Sequence, residues 1–258
     1  MQTFIVVFGL LILAVIFTRR YLILEDKIQL LPFSGRRKRI FSHFHFQKPE
    51  SFEVTAEEII PDASTVDPKN ISKAEIHYRK AEIMLDRGEL RNASKTLIQA
   101  IALNPGFIEA YAKLGMIYLR QEQFNKAENI FRKLALSVSE NPSYYSNLGL
   151  SLYSQHKLEE AKNYYKKAIE LDDTRAGRFF SLGQIYYELK ELEAATDNMK
   201  KAIMLESRNL DFLLTLAQIY LDRNLPEQAR EVLNEVLVLS PGNEEALKLQ
   251  EKANNLSG

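Results

Sequence analysis

Few residues of this chain have the types and spacing that metal binding or acid–base chemistry requires. His43 and His45 alternate, so an extended segment could place both on one side, but no cluster of carboxylates or cysteines completes a metal site. Neighbouring acids such as Glu159 and Glu160 fall at predicted helix ends, where carboxylates are ordinarily solvated. The 258 residues include no cysteine, which excludes disulfides, thiolate metal ligands and cysteine nucleophiles.

The sequence also lacks the short motifs of phosphate-binding loops, serine hydrolase elbows and zinc peptidase helices. Its 34 basic and 34 acidic residues balance, so the overall charge does not indicate a nucleic-acid partner. We therefore predict a protein that is not an enzyme, with no catalytic residues, no metal site, no cofactor and no nucleic-acid partner.

One group of residues does suit a defined surface, because basic and aromatic side chains stand together near the N-terminus. Residues 1–48 contain eight Lys and Arg against two acids, a net charge of +6, and phenylalanines follow the densest basic run. Each base near an anionic membrane surface contributes about 1 kcal/mol. A plain topology signal followed by a solvated linker explains the same pattern and stays open. The residues predicted to lie at the membrane surface, with anionic lipid as a partner, are Arg36, Arg37, Lys38 and Arg39.

An uncharged N-terminal segment would position this basic group. Residues 4–17 are all apolar, and a helix of roughly 17 residues spans about 26 Å, slightly less than a ~30 Å hydrocarbon core. We predict an uncleaved transmembrane anchor at residues 1–20, because no base precedes the segment and its end is a poor cleavage site. A cleaved signal peptide is the alternative. All nearby bases follow the segment, so the positive-inside bias places the N-terminus outside and the rest in the cytoplasm.

Residues 21–73 are interpreted as a linker that is first basic and then acidic. Residues 49–72 carry six acids against one lysine, a net charge of −5, and are interrupted by Pro49, Pro61 and Pro68. A flexible stretch of ~40 residues has an end-to-end distance of roughly 35 Å. We therefore interpret this part of the chain as a tether between the predicted anchor and the residues that follow.

Behind the linker, the sequence repeats with a period of 34 residues. Five alanines keep this spacing without a slip, namely Ala93, Ala127, Ala161, Ala195 and Ala229. A fixed period of this length predicts stacked helix–turn–helix units. When each unit is numbered from residue 74, 108, 142, 176 or 210, these alanines occupy position 20. The register predicts that Ala161 is buried and that Lys162 faces solvent.

Two further positions show how the helices of one unit would pack. Position 8 is small in every unit, with Ala81, Gly115, Gly149, Gly183 and Ala217. Position 24 is large and apolar, with Leu97, Phe131, Tyr165, Met199 and Leu233. Small residues at positions 8 and 20 let two helices approach closely, and large side chains fill the space beside them.

With these residues, the chain resembles the tetratricopeptide repeat family. The resemblance implies an all-α, right-handed superhelical solenoid of five helix–turn–helix repeats, and a C-terminal capping helix follows from the sequence after them. The predicted organisation is an anchor at 1–20, a linker at 21–73, repeats at 74–107, 108–141, 142–175, 176–209 and 210–243, and a capping helix with a tail at 244–258.

In this family, the first helices of the repeats line a concave surface, and positions 2, 5, 9 and 12 share that face. Some of the apolar side chains on this face, especially those at positions 5 and 12, are expected to pack between neighbouring repeats instead. The remainder would form an apolar trough with a polar rim, suited to a peptide or helix with hydrophobic anchors. The alternative occupant is the chain's own linker, at residues 41–46 or 54–60. The residues predicted to bind a partner are Met116, Arg120, Asn147, Leu150, Tyr153, Phe180, Gln184 and Tyr187.

These features together predict a membrane-anchored scaffold that recruits or assembles protein partners at the cytosolic face of a membrane. The topology resembles bacterial inner-membrane repeat proteins, our expected location, and also mitochondrial outer-membrane import receptors. Two alternatives stay open. Signal cleavage would give a secreted or periplasmic soluble repeat protein, and association with an enzyme would make the chain a regulatory subunit at the membrane.

Overall fold

Eleven α-helices and no strand make up the part of the chain that the computed structural model describes, residue 60 and residues 66–256. The predicted all-α fold is therefore confirmed for this part. The helices are α1 (Pro68–Asp86), α2 (Leu90–Leu103), α3 (Ile108–Arg120), α4 (Phe124–Ser137), α5 (Pro142–Tyr153), α6 (Leu158–Leu171), α7 (Ala176–Glu188), α8 (Leu192–Leu205), α9 (Leu210–Asp222), α10 (Pro226–Leu239) and α11 (Glu244–Asn255).

Consecutive helices pair, and each pair packs on the next, so that α1 to α10 form five helix–turn–helix units and α11 covers the last of them. In units two to five, the first helix begins at position 1 of the repeat, namely at Ile108, Pro142, Ala176 and Leu210. The first unit differs, because α1 begins at Pro68 rather than at Ala74. The Asp67 carboxylate caps α1 by accepting the backbone N–H of Lys69 at 2.8 Å, and a proline suits the first helical turn. The linker that we predicted up to residue 73 therefore ends before Pro68.

The predicted core register is confirmed by burial. All five alanines at position 20 are completely buried, as are Leu97, Phe131, Met199 and Leu233 at position 24. Each glycine at position 8 lies directly against the residue at position 24. A Cβ on Gly149 would stand 2.8 Å from the Tyr165 ring, and one on Gly115 would stand 2.8 Å from the Phe131 ring. In repeats two and three, the two helices thus meet at a contact where a Cβ at position 8 would collide with an aromatic ring.

The turn inside every repeat has a residue with a left-handed backbone conformation at the same position. Position 15 has a positive φ in all five repeats, at Gly88, Glu122, His156, Lys190 and Asn224. In each turn the N–H of position 16 donates to the carbonyl of position 11, which closes the helix end; Lys157 N to Leu152 O at 3.0 Å is one example. Only the first repeat places glycine there, so the other four turns bear the strain of a side chain in this region.

The prediction that Lys162, at position 21 of repeat three, faces solvent is wrong. Its side chain is only 14 % exposed, and its Nζ lies 3.0 Å from Glu191 of the following repeat. Repeats two and four use this position in the same way: Glu128 accepts from Lys157 at 2.8 Å, and Thr196 accepts from Arg223 at 2.9 Å. Position 21 therefore carries a polar link from each of these repeats to the turn of the next one.

The predicted anchor at 1–20 and its basic neighbours, including Arg36, Arg37, Lys38 and Arg39, lie outside the described residues, as do the rest of the linker up to residue 65, apart from Ile60, and the last two residues. Among the residues that are described, no helix is both long enough and apolar enough to span a bilayer.

Candidate partner-binding face

The candidate site is the surface of α3, α5 and α7 that we name the first-helix face. It comprises the eight residues that the sequence predicts to bind a partner. Six of them are half-buried, namely Met116, Leu150, Tyr153, Phe180, Gln184 and Tyr187. Arg120 is exposed at the end of α3, whereas Asn147 is buried. The repeat spacing sets these side chains on corresponding places of three stacked helices.

Asn147 does not fit the role of a polar group that orients a partner. Its side chain lies between repeats, where it is 8 % exposed and its Nδ2 donates to the Met116 sulfur at 3.4 Å. Its backbone carbonyl accepts the Ser151 hydroxyl at 2.8 Å. The Asn147 side-chain amide therefore contacts Met116 of the preceding repeat. The prediction that this amide faces a partner is wrong.

The two tyrosines of the face share one arrangement. The Tyr153 hydroxyl donates to Glu188, and the Tyr187 hydroxyl donates to Asp222, each acid being at position 13 of the next repeat. Burial, together with the adjacent Asp222 carboxylate, raises the pKa of Tyr187 to about 12, so the hydroxyl keeps its proton at neutral pH. Both rings are thereby fixed before any partner arrives, which lowers the entropy cost of binding on them.

Packing between repeats takes part of the face, as the sequence leads us to expect. Leu119, Leu214 and Leu221 are 4–8 % exposed and belong to the buried core. Phe180 stacks on Phe212 with ring centroids 4.6 Å apart, so one side of its ring serves the junction of repeats four and five. The remaining apolar surface of the face is provided mainly by Met116, Leu150 and the two tyrosines.

Charge changes sign along the rim of the face. Arg120 marks the basic end in repeat two, whereas Glu188 and Asp222 occupy the same position 13 in repeats four and five. Asp222 also accepts from Gln218 at 2.7 Å and lies 3.4 Å from Lys252 of α11. At position 13, the charge therefore changes from basic in repeat two to acidic in repeats four and five.

Sequence reasoning missed a buried arginine at the junction of repeats three and four. Arg178 is 2 % exposed, and it donates to the Ser146 hydroxyl at 3.0 Å and to the Asp172 carboxylate at 2.6 Å. Burial alone would raise the pKa of Asp172, but hydrogen bonds from Thr174 and Arg178 lower it to about 2. Arg178 stands at position 3, where other repeats carry apolar residues such as Phe212 or Ala110. That difference was the signal in the sequence that could have indicated this junction.

A second missed cluster joins repeats two and three. Glu128 is 8 % exposed and accepts from Arg132 at 2.9 Å, Gln155 at 2.8 Å and Lys157 at 2.8 Å. Burial would raise the pKa of Glu128, but these three donors outweigh it and lower the pKa. Both clusters are fully engaged in joining repeats. Among residue 60 and residues 66–256, no group of three or more His, Asp or Glu side chains could hold a metal ion.

Comparison with known proteins identifies the repeats. Two models described as tetratricopeptide repeats match the chain, one at residues 142–174 and the other at residues 84–148 and 190–253, which together exceed half of its length. No curated protein matches the chain.

Several solved structures share the fold. YrrB, described as a TPR protein with an unusual peptide-binding site, superposes with a TM-score of 0.60 at 21 % identity, over 68 % of this chain and 90 % of that one. MamA from Desulfovibrio magneticus RS-1, residues 41 to the end, gives 0.64 at 17 % identity over 67 % and 97 %. PilF of Pseudomonas aeruginosa gives 0.60 at 21 % identity over 73 % and 90 %. These identities are low enough that the structures show the fold alone. The matched models and the shared solenoid establish that the chain belongs to the tetratricopeptide repeat family.

Proposed function

We propose that this protein is a binding scaffold whose first-helix face captures an extended or helical peptide segment of a partner protein. Repeats of this family indicate a protein-interaction scaffold, and the YrrB structure is described as having a peptide-binding site. The proposal for this chain rests on its own geometry. Members of the family are generally not enzymes, and the polar clusters of this chain are engaged in joining repeats.

A single observation carries the proposal. Tyr153 and Tyr187 stand at the same position of successive first helices, half-exposed, with each hydroxyl tied to an acid of the next repeat. Aromatic side chains with a fixed orientation and an accessible ring are the groups that dominate binding energy at interfaces. Leu150 and Met116 extend this surface into repeats two and three, which gives room for two or three hydrophobic anchors.

The charged rim adds a direction to the proposed complex. A bound peptide places its acidic side near Arg120 of repeat two and its basic side near Glu188 and Asp222 of repeats four and five. Complementary charges at a rim act mainly on the association rate and on specificity. Binding is therefore expected to weaken as the salt concentration rises, with the affinity changing less than for loss of an apolar anchor.

The test compares ring removal with hydroxyl removal. Partners are captured from native membranes by crosslinking and identified by mass spectrometry, with the wild-type chain as the reference. Tyr153→Ala with Tyr187→Ala is expected to cost about 2 kcal/mol or more in affinity, a loss of roughly thirtyfold, while the helical content stays unchanged. The matched control, Tyr153→Phe with Tyr187→Phe, keeps both rings and is expected to retain most of the binding. If the folded Ala double variant captured every partner as the wild type does, the first-helix face would not be the binding site.

We propose further that the scaffold acts at a membrane. Support comes from the apolar, uncharged residues 4–17 and from the bases that all follow them. In this proposal the chain crosses the bilayer once, its N-terminus lies outside, and the repeats work in the cytoplasm, with a bacterial inner membrane as the expected location. Protease added outside intact cells should leave residues 74–258 uncut. Digestion of the repeats would favour the secreted or periplasmic alternative, and stable co-purification with an enzyme would favour the regulatory-subunit alternative.

A further inference from the structure

The outward side of α1 combines bases with isoleucines. Six exposed side chains, spaced alternately four and three residues apart, share one face of this helix. Ile76 is 66 % exposed and Ile83 is 53 % exposed, although isoleucine is ordinarily buried. The nearest acids of α1, Glu75 and Asp86, lie about a quarter turn away from this face. We name it the α1 stripe, and its members are Lys69, Lys73, Ile76, Lys80, Ile83 and Arg87.

In the later repeats, the preceding repeat covers the corresponding side chains. Ile117 of α3, at the position that Ile83 takes in α1, is 1 % exposed and belongs to one buried cluster with Ala93 and Leu97 of α2. The equivalent residues of α5, α7, α9 and α11 are completely buried, namely Ser151, Ile185, Ile219 and Ala253. In the described part of the chain, no repeat precedes α1, and its stripe is left exposed.

The α1 stripe is not composed like a junction for another helix. Position 7 carries a leucine that is at most 4 % exposed in repeats two to five, namely Leu114, Leu148, Leu182 and Leu216. In α1 this position is Lys80, which is exposed and stands between the two isoleucines. A helix packed there as in the stack would bury an ammonium group, which is unfavourable. A second copy of the stripe would bring like charges together.

An anionic bilayer surface suits both kinds of side chain. Lys and Arg lay their apolar stems along hydrophobic surface while their charged ends reach outwards, where lipid phosphates would meet them. The stripe extends over about 27 Å, at about 1.5 Å per residue, so its four bases can contact headgroups together. The two isoleucines would then enter the boundary between headgroups and acyl chains. A basic face with apolar side chains is typical of helices that lie in the plane of a membrane surface.

We propose that the α1 stripe docks on the surface of an anionic bilayer, with the axis of α1 in the membrane plane. This inference rests on the proposed membrane location of the scaffold. It adds a contact made by the folded repeats themselves to the predicted anchor at residues 1–20. The stripe shares no residue with the first-helix face, so docking does not consume the side chains proposed to bind a partner protein.

The test uses the full-length chain, whose lack of cysteine allows a single fluorophore to be attached. Ser72→Cys carries the label, because Ser72 is exposed and borders the stripe one helical turn before Ile76. Vesicles of phosphatidylcholine, with or without phosphatidylglycerol, contain a spin-labelled lipid that quenches fluorophores at the bilayer surface. Quenching is expected to be severalfold stronger with phosphatidylglycerol and to weaken as the salt concentration rises, because salt screens exposed charges. A label at Val238→Cys, 81 % exposed in repeat five, should show no such increase.

Variants separate the charged and apolar parts of the stripe. Lys73→Glu with Lys80→Glu should abolish the effect of phosphatidylglycerol, whereas the matched control, Lys73→Arg with Lys80→Arg, should keep it. Ile76→Ala with Ile83→Ala should reduce quenching severalfold. All four side chains are exposed, so circular dichroism should show unchanged helical content. Equal quenching of the Glu and Arg variants, or equal quenching of the two labels in the otherwise unchanged chain, would overturn the proposal.

Sedimentation of the same samples tests the predicted anchor separately. If the chain sediments with both kinds of vesicle while the label at residue 72 stays unquenched, the anchor is supported and the docking is refuted. If phosphatidylglycerol induces quenching although the chain does not sediment with phosphatidylcholine vesicles, the docking is supported and the anchor is refuted. A photocrosslinker on the same cysteine in native membranes should yield lipid adducts. Adducts with proteins alone, including a second copy of the chain, would assign the stripe to a protein partner and overturn the proposal.

Discussion

Replacing Gly149 with alanine is expected to destabilise the array, whereas the same change at Gly183 is expected to be close to neutral. A Cβ on Gly149 would stand 2.8, 2.9 and 3.3 Å from three atoms of the Tyr165 ring. That ring is 4 % exposed, and its hydroxyl is hydrogen-bonded to Ser181, so it has little freedom to withdraw. At Gly183, the nearest atom is the terminal methyl of Met199 at 2.9 Å, and a methionine end moves at small cost.

The magnitudes follow from two opposing effects. Overpacking of a core costs about 1–3 kcal/mol, and alanine gains about 1 kcal/mol over glycine inside a helix. Gly149→Ala should therefore lower the free energy of unfolding by about 1 kcal/mol, which is a fall of about 2–4 °C in the melting temperature for a domain of this size. At Gly183 the helix gain offsets the smaller clash, and the expected change is about zero.

The assay is thermal and urea unfolding, followed by circular dichroism, of a fragment of residues 66–258 that includes the Asp67 cap of α1. A third variant supplies the control. Repeats one and five already pair alanine at position 8 with leucine at position 24, as Ala217 with Leu233. In a Tyr165→Leu background, Gly149→Ala should therefore become stabilising. Equal effects of the two glycine changes in the wild type, or an unchanged penalty in the Tyr165→Leu background, would refute the reasoning.

Three further predictions concern the turns and the polar links, and each is tested by the same unfolding measurements. His156→Gly relieves a residue at φ 60° and should stabilise the array by about 0.5–1 kcal/mol, whereas Asn224→Gly should gain less because asparagine tolerates this conformation; equal gains would contradict the argument. Glu128→Gln removes the charge from a carboxylate with three donors and should lower the free energy of unfolding by about 2 kcal/mol. Lys157→Ala should lower it less, because the Lys157 side chain is 41 % exposed, and the reverse order would contradict this reasoning. Because the folded-state pKa of Asp172 is lowered from 3.8 to about 2, its contribution is present above pH 4 and is lost as the pH falls towards 2. Solvent screening limits that contribution to about 1 kcal/mol, and Asp172→Asn should flatten the acid limb of the stability curve accordingly; identical acid limbs would exclude this role.

The fold could be predicted from the sequence because its packing rule is local and repeated. A buried alanine at position 20 and a small residue at position 8 restrict how two adjacent helices can meet, and five copies make the register unambiguous. The start of α1 was missed because it depends on Asp67 and Pro68, a capping signal that lies outside the periodic pattern. A proline in an acidic stretch reads equally well as part of a linker.

The polar residues were harder to assign, because helical periodicity separates core from surface but does not say which surface meets the next repeat. Lys162 and Asn147 were assigned to solvent and to a ligand, whereas both lie between repeats. Their partners stand about one repeat further along the chain or one repeat before it, a separation at which periodicity carries no pairing information. The tyrosine–acid pairs of the first-helix face were missed for the same reason.

The alternating polar links at position 21 make the internal repeats unsuitable for exchange. Glu128 meets Lys157, whereas Lys162 meets Glu191, so the sign of the link reverses from one junction to the next. Excision of repeat three would bring Glu128 opposite Glu191, and excision of repeat four would bring Lys162 opposite Arg223. Like charges at such close range are unfavourable. These polar links therefore oppose shortening of the array by in-frame loss of repeat three or repeat four.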